Sequence, residues 1–197
     1  MKYAPTLPSL ICCLVLAASA AYAQRAPVLS AQGSNSLSDA QAELTELFAS
    51  VCLMKFPDAA AAVLYAHAKG MKPMPKERLH AILGSAPGAG WFYDGSFGTY
   101  VVTIEDPPDQ ICAVRKRFGR APDIKTAMGT LLTLWSGAQH TGTITTLSPR
   151  EAQASGVRSY AWQLMRSDNG KETFTASVAP GPGQEAEIRL MRALGKN

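Results

Sequence analysis

Leu44, Leu47, Phe48 and Val51 recur at i, i+3, i+4 and i+7, the spacing that gathers side chains on one face of a helix. Cys52 follows beside that stripe, so its sulfur is expected to point inward. Ser38 and Gln41 stand three residues apart ahead of the stripe, the spacing of a capping box, and this predicts a helix start at Ser38. Pro57 ends the pattern. Asp58 offers a cap to a second helix that runs through the alanines to Ala68, with Gly70 as its stop. A third, from Pro75 to Leu83, has Leu79, Ile82 and Leu83 as its apolar side. The strongest helical stripe comes later: Ile124, Ala127, Met128, Leu131, Leu132 and Trp135, preceded by Asp123 as a cap and followed by Gly137.

Elsewhere the period drops to two. The glycine-rich run Gly84 to Gly90 breaks the helical pattern, and Trp91-Phe92-Tyr93 begins an aromatic strand. Tyr100, Val102 and Ile104 then share one strand face. In Ile111 to Phe118, Cys112, Val114 and Phe118 share one face, while Arg115 and Arg117 share the other. Pro107-Pro108 separates these two strands. Thr141 to Leu147, Arg158 to Arg166 and Glu172 to Val178 read as further strands, and Ser167-Asp168-Asn169-Gly170 has hairpin-turn chemistry. Ala186, Ile188 and Leu190 predict a last strand, although Glu185 to Leu194 also frames a short helix. Segregated helices with runs of consecutive strands predict an α+β fold, a single domain over residues 37–197 with an antiparallel sheet covered by helices. The helices at Leu44 and at Ile124, which have the widest apolar stripes, are the ones expected to pack on the sheet.

The first 23 residues change the chemistry available to the rest. Lys2, an apolar run from Leu10 to Ala20 and then Ala21-Tyr22-Ala23 compose a secretory signal peptide with cleavage after Ala23. The alternative is retention as an N-terminal anchor, but the apolar run is about half of the ~20 residues a membrane span needs. Residues 24–36 are polar and aperiodic and read as a flexible leader. The protein is therefore expected in the periplasm or outside the cell, with no membrane span in the mature chain. Cys12 and Cys13 lie inside the apolar run and are expected to leave with it. Cys52 and Cys112 remain, in an oxidising compartment where thiols pair. A bridge between them closes a loop of about 60 residues, for which chain entropy gives an upper figure of roughly 4 kcal/mol.

The net charge is +4, one unit of it from Lys2, too mild to suggest nucleic acid as a partner. His67, His80 and His140 match no metal-ligand spacing, and no Gly-x-Ser-x-Gly presents a serine. Gly95-Ser96-Phe97-Gly98 comes nearest and is better explained as a turn. Gly84, Gly88 and Gly90 follow a helix and precede a strand, the reverse of a phosphate-binding order. Glu105, Asp106 and Asp109 fit a solvated turn better than a calcium loop. The densest basic run is Arg115, Lys116, Arg117 and Arg120. Arg115 and Arg117, with Trp91, offer a candidate interaction surface for an acidic partner or lipid headgroups, the alternative being a solvated sheet face. No catalytic, cofactor-binding or metal-binding residue is assigned.

Phe48 and Cys52 on an exported helix, the short helix near Pro75 to Leu83, Pro87-Gly88, Trp91, a strand and then Cys112-Ala113-Val114 together resemble a group of small exported or lipid-anchored two-cysteine proteins of Gram-negative bacteria. The resemblance covers about residues 44–135, and the chain departs from the anchored members in lacking a lipoprotein cysteine. It implies a periplasmic location and the Cys52–Cys112 pairing, and it implies no catalytic residue and no established activity. The expectation is a non-enzymatic accessory or binding protein that contacts another envelope protein. A second reading, from a different class, is a periplasmic hydrolase with a site near Trp91 and Tyr93 using Asp94, Glu105 or His80. Titratable groups converging in one hollow would mark the second reading, and scattered ones the first.

Overall fold

The computed structural model describes residues 29–139, 142–147, 150–152, 156–166 and 170–195. The expected signal peptide, His140 and the turn at 167–169 lie outside the described residues. In chain order the elements are α1 (Leu29–Phe48), continuing into a π-helical turn (Ala49–Leu53), α2 (Ala59–Ala68), β1 (Lys72–Pro73), α3 (Lys76–Leu83), β2 (Gly88–Gly95), β3 (Gly98–Glu105), β4 (Ile111–Phe118), α4 (Ile124–Gln139), β5 (Gly142–Thr146), β6 (Arg150–Ala152), β7 (Val157–Arg166), β8 (Lys171–Pro180) and β9 (Ala186–Leu194). All the strands join one antiparallel sheet in the order β1-β2-β3-β4-β9-β8-β7-β5, with β6 also paired to β7. The last strand in sequence is thus central, bonded to β4 on one side and β8 on the other.

Alternation sorts the strand residues onto two faces. On the first, Val102, Val114, Leu190 and Ala176 stand in register across four strands and are fully buried. They share one core with Leu44, Leu47 and Phe48 of α1 and with Ile124, Met128 and Leu132 of α4. α1 lies against β4 and α4, and α4 lies against β5 and β8. Asp58 caps α2, its Oδ1 accepting from the Ala61 N–H at 3.0 Å, and Asp123 caps α4 through the Thr126 N–H at 3.2 Å.

Some boundaries differ from the sequence expectation. α1 begins at Leu29, so residues 29–36, read above as leader, are helical; no proline or β-branched run interrupts them, and Gly33 alone is a weak breaker. Ser38 is interior to this helix, and Gln41 donates to the Asp123 carbonyl at 3.3 Å rather than closing a capping box. The α-helix ends at Phe48, well before Pro57, because the chain widens into i→i+5 bonding: the Met54 N–H reaches the Ala49 carbonyl at 3.0 Å and the Phe56 N–H reaches Val51 at 2.9 Å. Such turns leave carbonyls without helical partners. Cys52 and Leu53 of the turn, and Phe56 just beyond it, accept from Arg192 Nη1 at 2.8, 3.4 and 3.0 Å.

Arg192 points inward from β9 and is buried, as is Glu172 of β8, whose Oε2 accepts from Arg192 Nε at 2.9 Å and faces Nη2 at 2.8 Å. The guanidinium lies between the Phe56 and Trp135 rings, 5.6 and 5.2 Å from their centroids. Burial lowers its pKa and Glu172 opposes that fall. Cys112 is the cross-strand neighbour of Arg192, and the disulfide joins it to Cys52 with the Cα atoms 5.4 Å apart. The covalent bond and the guanidinium therefore grip the same turn from adjacent strands.

Replacing both cysteines with alanine is expected to lower stability by roughly 2–4 kcal/mol and to leave the fold recognisable, because Arg192 still holds the turn. Urea unfolding with circular dichroism checks it; thiol counting on the unfolded, unreduced protein should find neither Cys52 nor Cys112 free, and two free thiols there would contradict the bridge.

Candidate functional site

The second sheet face carries Arg115, and the register sets Arg189 of β9 directly opposite it. Like charges in that position repel, as cross-strand neighbours on one face lie within about 5.5 Å at Cβ. Both arginines are half-buried, and the Nε of each is buried with no hydrogen-bond partner among the described residues. Burial, and then the charge of Arg189, lower the pKa of Arg115, while the charges of Glu187 and Glu105 oppose this. Arg117 pairs across the strands with Glu187, Nε to Oε2 at 3.5 Å with the arginine mostly exposed, a geometry that contributes little in water.

α3 closes one side of this face. Its approach depends on two glycines of β2: a Cβ at Gly90 would stand 2.9 Å from Leu79 Cδ1, and one at Gly88 would stand 3.0 Å from Leu83 Cδ1 and 2.2 Å from the Ile104 carbonyl oxygen. Gly88 and Gly90 thus serve close packing. Between α3 and the strands lies a cleft of about 610 Å³. Ile82, Phe92 and Val101 give it apolar walls, and Arg78, Arg115 and Arg117 line it against the single lining carboxylate of Glu187. A hollow of this kind suits an anion flanked by apolar groups, since guanidinium binds carboxylate or phosphate in a planar fork.

Phe97, at the tip of the β2–β3 hairpin, lines the rim of the cleft. The tip is fixed by Glu43 of α1, whose carboxylate accepts from the Ser96 N–H at 2.9 Å, the Phe97 N–H at 3.2 Å and the Tyr100 hydroxyl at 2.6 Å. Gly95 is required here, because a Cβ would meet the Glu43 carboxylate at 2.5 Å, and Gly98 turns the chain with φ +111°. Lys116 donates to the Phe97 carbonyl and lies over the Tyr100 ring, 4.5 Å from its centroid. Burial raises the Glu43 pKa, but the hydrogen bonds from Tyr100, Ser96 and Phe97 outweigh it and leave the carboxyl below its ordinary value. Burial and Glu43 raise the Tyr100 phenol far above its ordinary range, so it stays protonated and serves as a fixed donor.

Of the residues singled out in the sequence, Arg115 and Arg117 do share this cleft. Trp91 does not join them: it faces the opposite way with Val102 and is 7% exposed, part of the core, as strand alternation requires for a neighbour of outward-facing Phe92. Asp94 is at the turn end of the hairpin, next to Gly95, bound to Lys72 at 2.8 Å and to the Thr99 hydroxyl at 2.9 Å. Glu105 pairs with Gly88 at the other end, about 20 Å away at ~3.4 Å per residue, and His80 is exposed in the last turn of α3. Asp94, Glu105 and His80 are therefore not brought together. Arg189 and Arg78 were missed; Arg189 alternates with buried Ile188 and Leu190 and so belongs outward, but its pairing with Arg115 needs the register of two strands distant in sequence. Among the described residues no three His, Cys, Asp or Glu side chains gather as a metal set, and no helix is long and apolar enough to cross a membrane.

Glu43→Gln is expected to cost about 1–2 kcal/mol at neutral pH, the lower part of the range for a charged hydrogen-bond acceptor because the group is partly exposed. The folded pKa lies below the unfolded one, so the stabilisation is complete above the unfolded value and is lost as pH falls through the folded value. Thermal unfolding of both proteins should therefore converge below the ordinary carboxylate range; a gap that persists or widens in acid would contradict the assignment. Set against known proteins, the chain matches no family model, no curated protein and no solved structure.

Proposed function

We propose that this protein is an exported, non-enzymatic binding domain of the cell envelope, and that the α3-flanked cleft on its second sheet face receives an acidic, partly apolar segment of a partner protein. In this reading α1 and α4 cover the first face of the sheet, and the second face beside α3 is left for the partner. The observation that carries it is the Arg115–Arg189 pair, Arg115 in the lining of the cleft and Arg189 its cross-strand neighbour. Two half-buried arginines stand opposite each other across the strands with unpartnered Nε atoms among the described residues, an arrangement that costs the free protein stability and that a carboxylate bound at Arg115 would relieve. Buried polar groups are otherwise satisfied in folded proteins, and exceptions call for a role.

Export is supported by the N-terminal signal pattern and by the Cys52–Cys112 bridge, since disulfides persist in oxidising compartments. The resemblance to small exported two-cysteine proteins agrees with this placement. A binding role is supported by the separation of Asp94, Glu105 and His80, which deprives the hydrolase reading of a base near a nucleophile.

The test is titration of a synthetic peptide of alternating glutamate and phenylalanine, followed by fluorescence anisotropy. Binding is expected to weaken steeply with added salt, and Arg115→Glu with Arg189→Glu should reduce affinity at least tenfold, about 1.4 kcal/mol or more. Equal affinity in the variant, or binding indifferent to salt, would contradict the proposal.

A further inference from the structure

A second and larger hollow, about 1140 Å³, lies around the end of the sheet between α1, the link from β4 to α4, and strands β7 and β8. Its floor is apolar and buried: Ala40, Phe118, Ile124 and Val178. Its rim is cationic and exposed: Arg117, Arg120, Lys125 and Arg158. One carboxylate, Asp123, lines it, and that side chain is engaged in capping α4 through the Thr126 N–H at 3.2 Å. Lys125 Nζ lies 5.9 Å from the centroid of the half-buried Tyr160 ring, so this rim cation is held beside an aromatic wall.

We propose that this groove binds a phosphorylated single-chain amphiphile. The apolar floor and the cationic rim point to such a ligand independently. An apolar floor at the bottom of an open groove gains by covering itself with hydrocarbon, and neither phosphate alone nor an acidic peptide backbone supplies that. A cationic rim, in which Arg117 is paired with Glu187 and Arg120, Lys125 and Arg158 face a groove whose one acid is already engaged, selects an anionic head, and the forked guanidinium groups of Arg120 and Arg158 suit the three oxygens of a phosphate monoester. The head sits at the rim and the chain lies over Phe118 and Val178. The site is separate from the Arg115–Arg189 pair, although Arg117, Lys116 and Phe97 border both hollows.

The experiment uses the protein as purified from cells and three probes below their micelle thresholds: inorganic phosphate, octyl glucoside and octyl phosphate. Calorimetric titration is expected to show octyl phosphate binding at least tenfold tighter than either of the others, and the double variant Arg120→Glu, Arg158→Glu, both exposed, should lose at least tenfold while still binding the acidic peptide. Equal binding of phosphate and octyl phosphate would leave a headgroup site alone and overturn the proposal, as would equal binding of octyl glucoside or an unaffected double variant. Intermolecular NMR contacts between the octyl chain and Phe118 or Val178 in the unsubstituted protein provide a reading that does not depend on how the variant folds. Contacts to Phe92 or Val101 instead would also overturn it.

Discussion

Arg192 occupies an inward position of the central strand, in line with Ile188 and Leu190, which are fully buried, and a guanidinium placed there loses its water. The loss is tolerable because the guanidinium is answered on several sides: by Glu172 from the adjacent strand, by the carbonyls of Cys52 and Leu53 in the π-helical turn and of Phe56 just beyond it, and by the Phe56 and Trp135 rings. Removing one partner of such a buried pair costs about 3–5 kcal/mol, whereas the intact pair contributes little net. Its effect is therefore to specify an arrangement. The carbonyls of the helical segment and the guanidinium of the last strand answer each other, which ties the two segments in this arrangement. The disulfide from Cys112, the cross-strand neighbour of Arg192, fixes the same turn covalently.

The two faces of the sheet treat arginine in opposite ways. On the first, Arg192 is paired and surrounded. On the second, Arg115 and Arg189 stand opposite each other, half-buried, with their Nε atoms unanswered among the described residues. Repulsion across the strands is tolerated because the central strands are pinned from the first face, where the clamp and the core hold β4 and β9 in register whatever the second face carries. A first face that is packed and bridged thus permits an unsatisfied second one, and a cation in the hollow with an unanswered Nε, Arg115, with Arg189 next to it, is what an anionic partner recognises. The α3 helix sharpens the hollow: Gly88 and Gly90 admit it to the sheet, and Glu43 sets the hairpin tip that brings Phe97 to the rim.

Much of this was legible locally. The period-two faces of Tyr100 to Glu105 and Ile111 to Phe118, the stripe from Ile124 to Trp135 and the Asp58 and Asp123 caps depend on neighbours within a few residues, and those signals survive folding. The π-helical turn was not legible, because its stability comes from Arg192, about 140 residues away in sequence. Arg192 itself continues the alternation of Ile188 and Leu190 inward, a signal present in the chain, but a charged residue at that position argues against burial until its partners are known. Trp91 is expected from the sequence on the interaction surface with Arg115 and Arg117, but strand alternation sends Trp91 and Phe92 to opposite faces, and Trp91 is the one inside. The cleft needed the β4–β9 register, which pairs residues 115 and 189, and no local pattern contains that.

Answered and unanswered arginine Nε–H groups separate the two faces, and side-chain Nε–H NMR correlation reads the difference atom by atom. In the free protein the Arg192 Nε–H, bonded to Glu172, should exchange slowly with water, while those of Arg115 and Arg189 should exchange faster. On addition of an acidic peptide the Arg115 and Arg189 signals are predicted to shift saturably and gain protection, with Arg192 unchanged. Arg115 and Arg189 signals that neither move nor gain protection, or that are already as protected as Arg192 in the free protein, would contradict it.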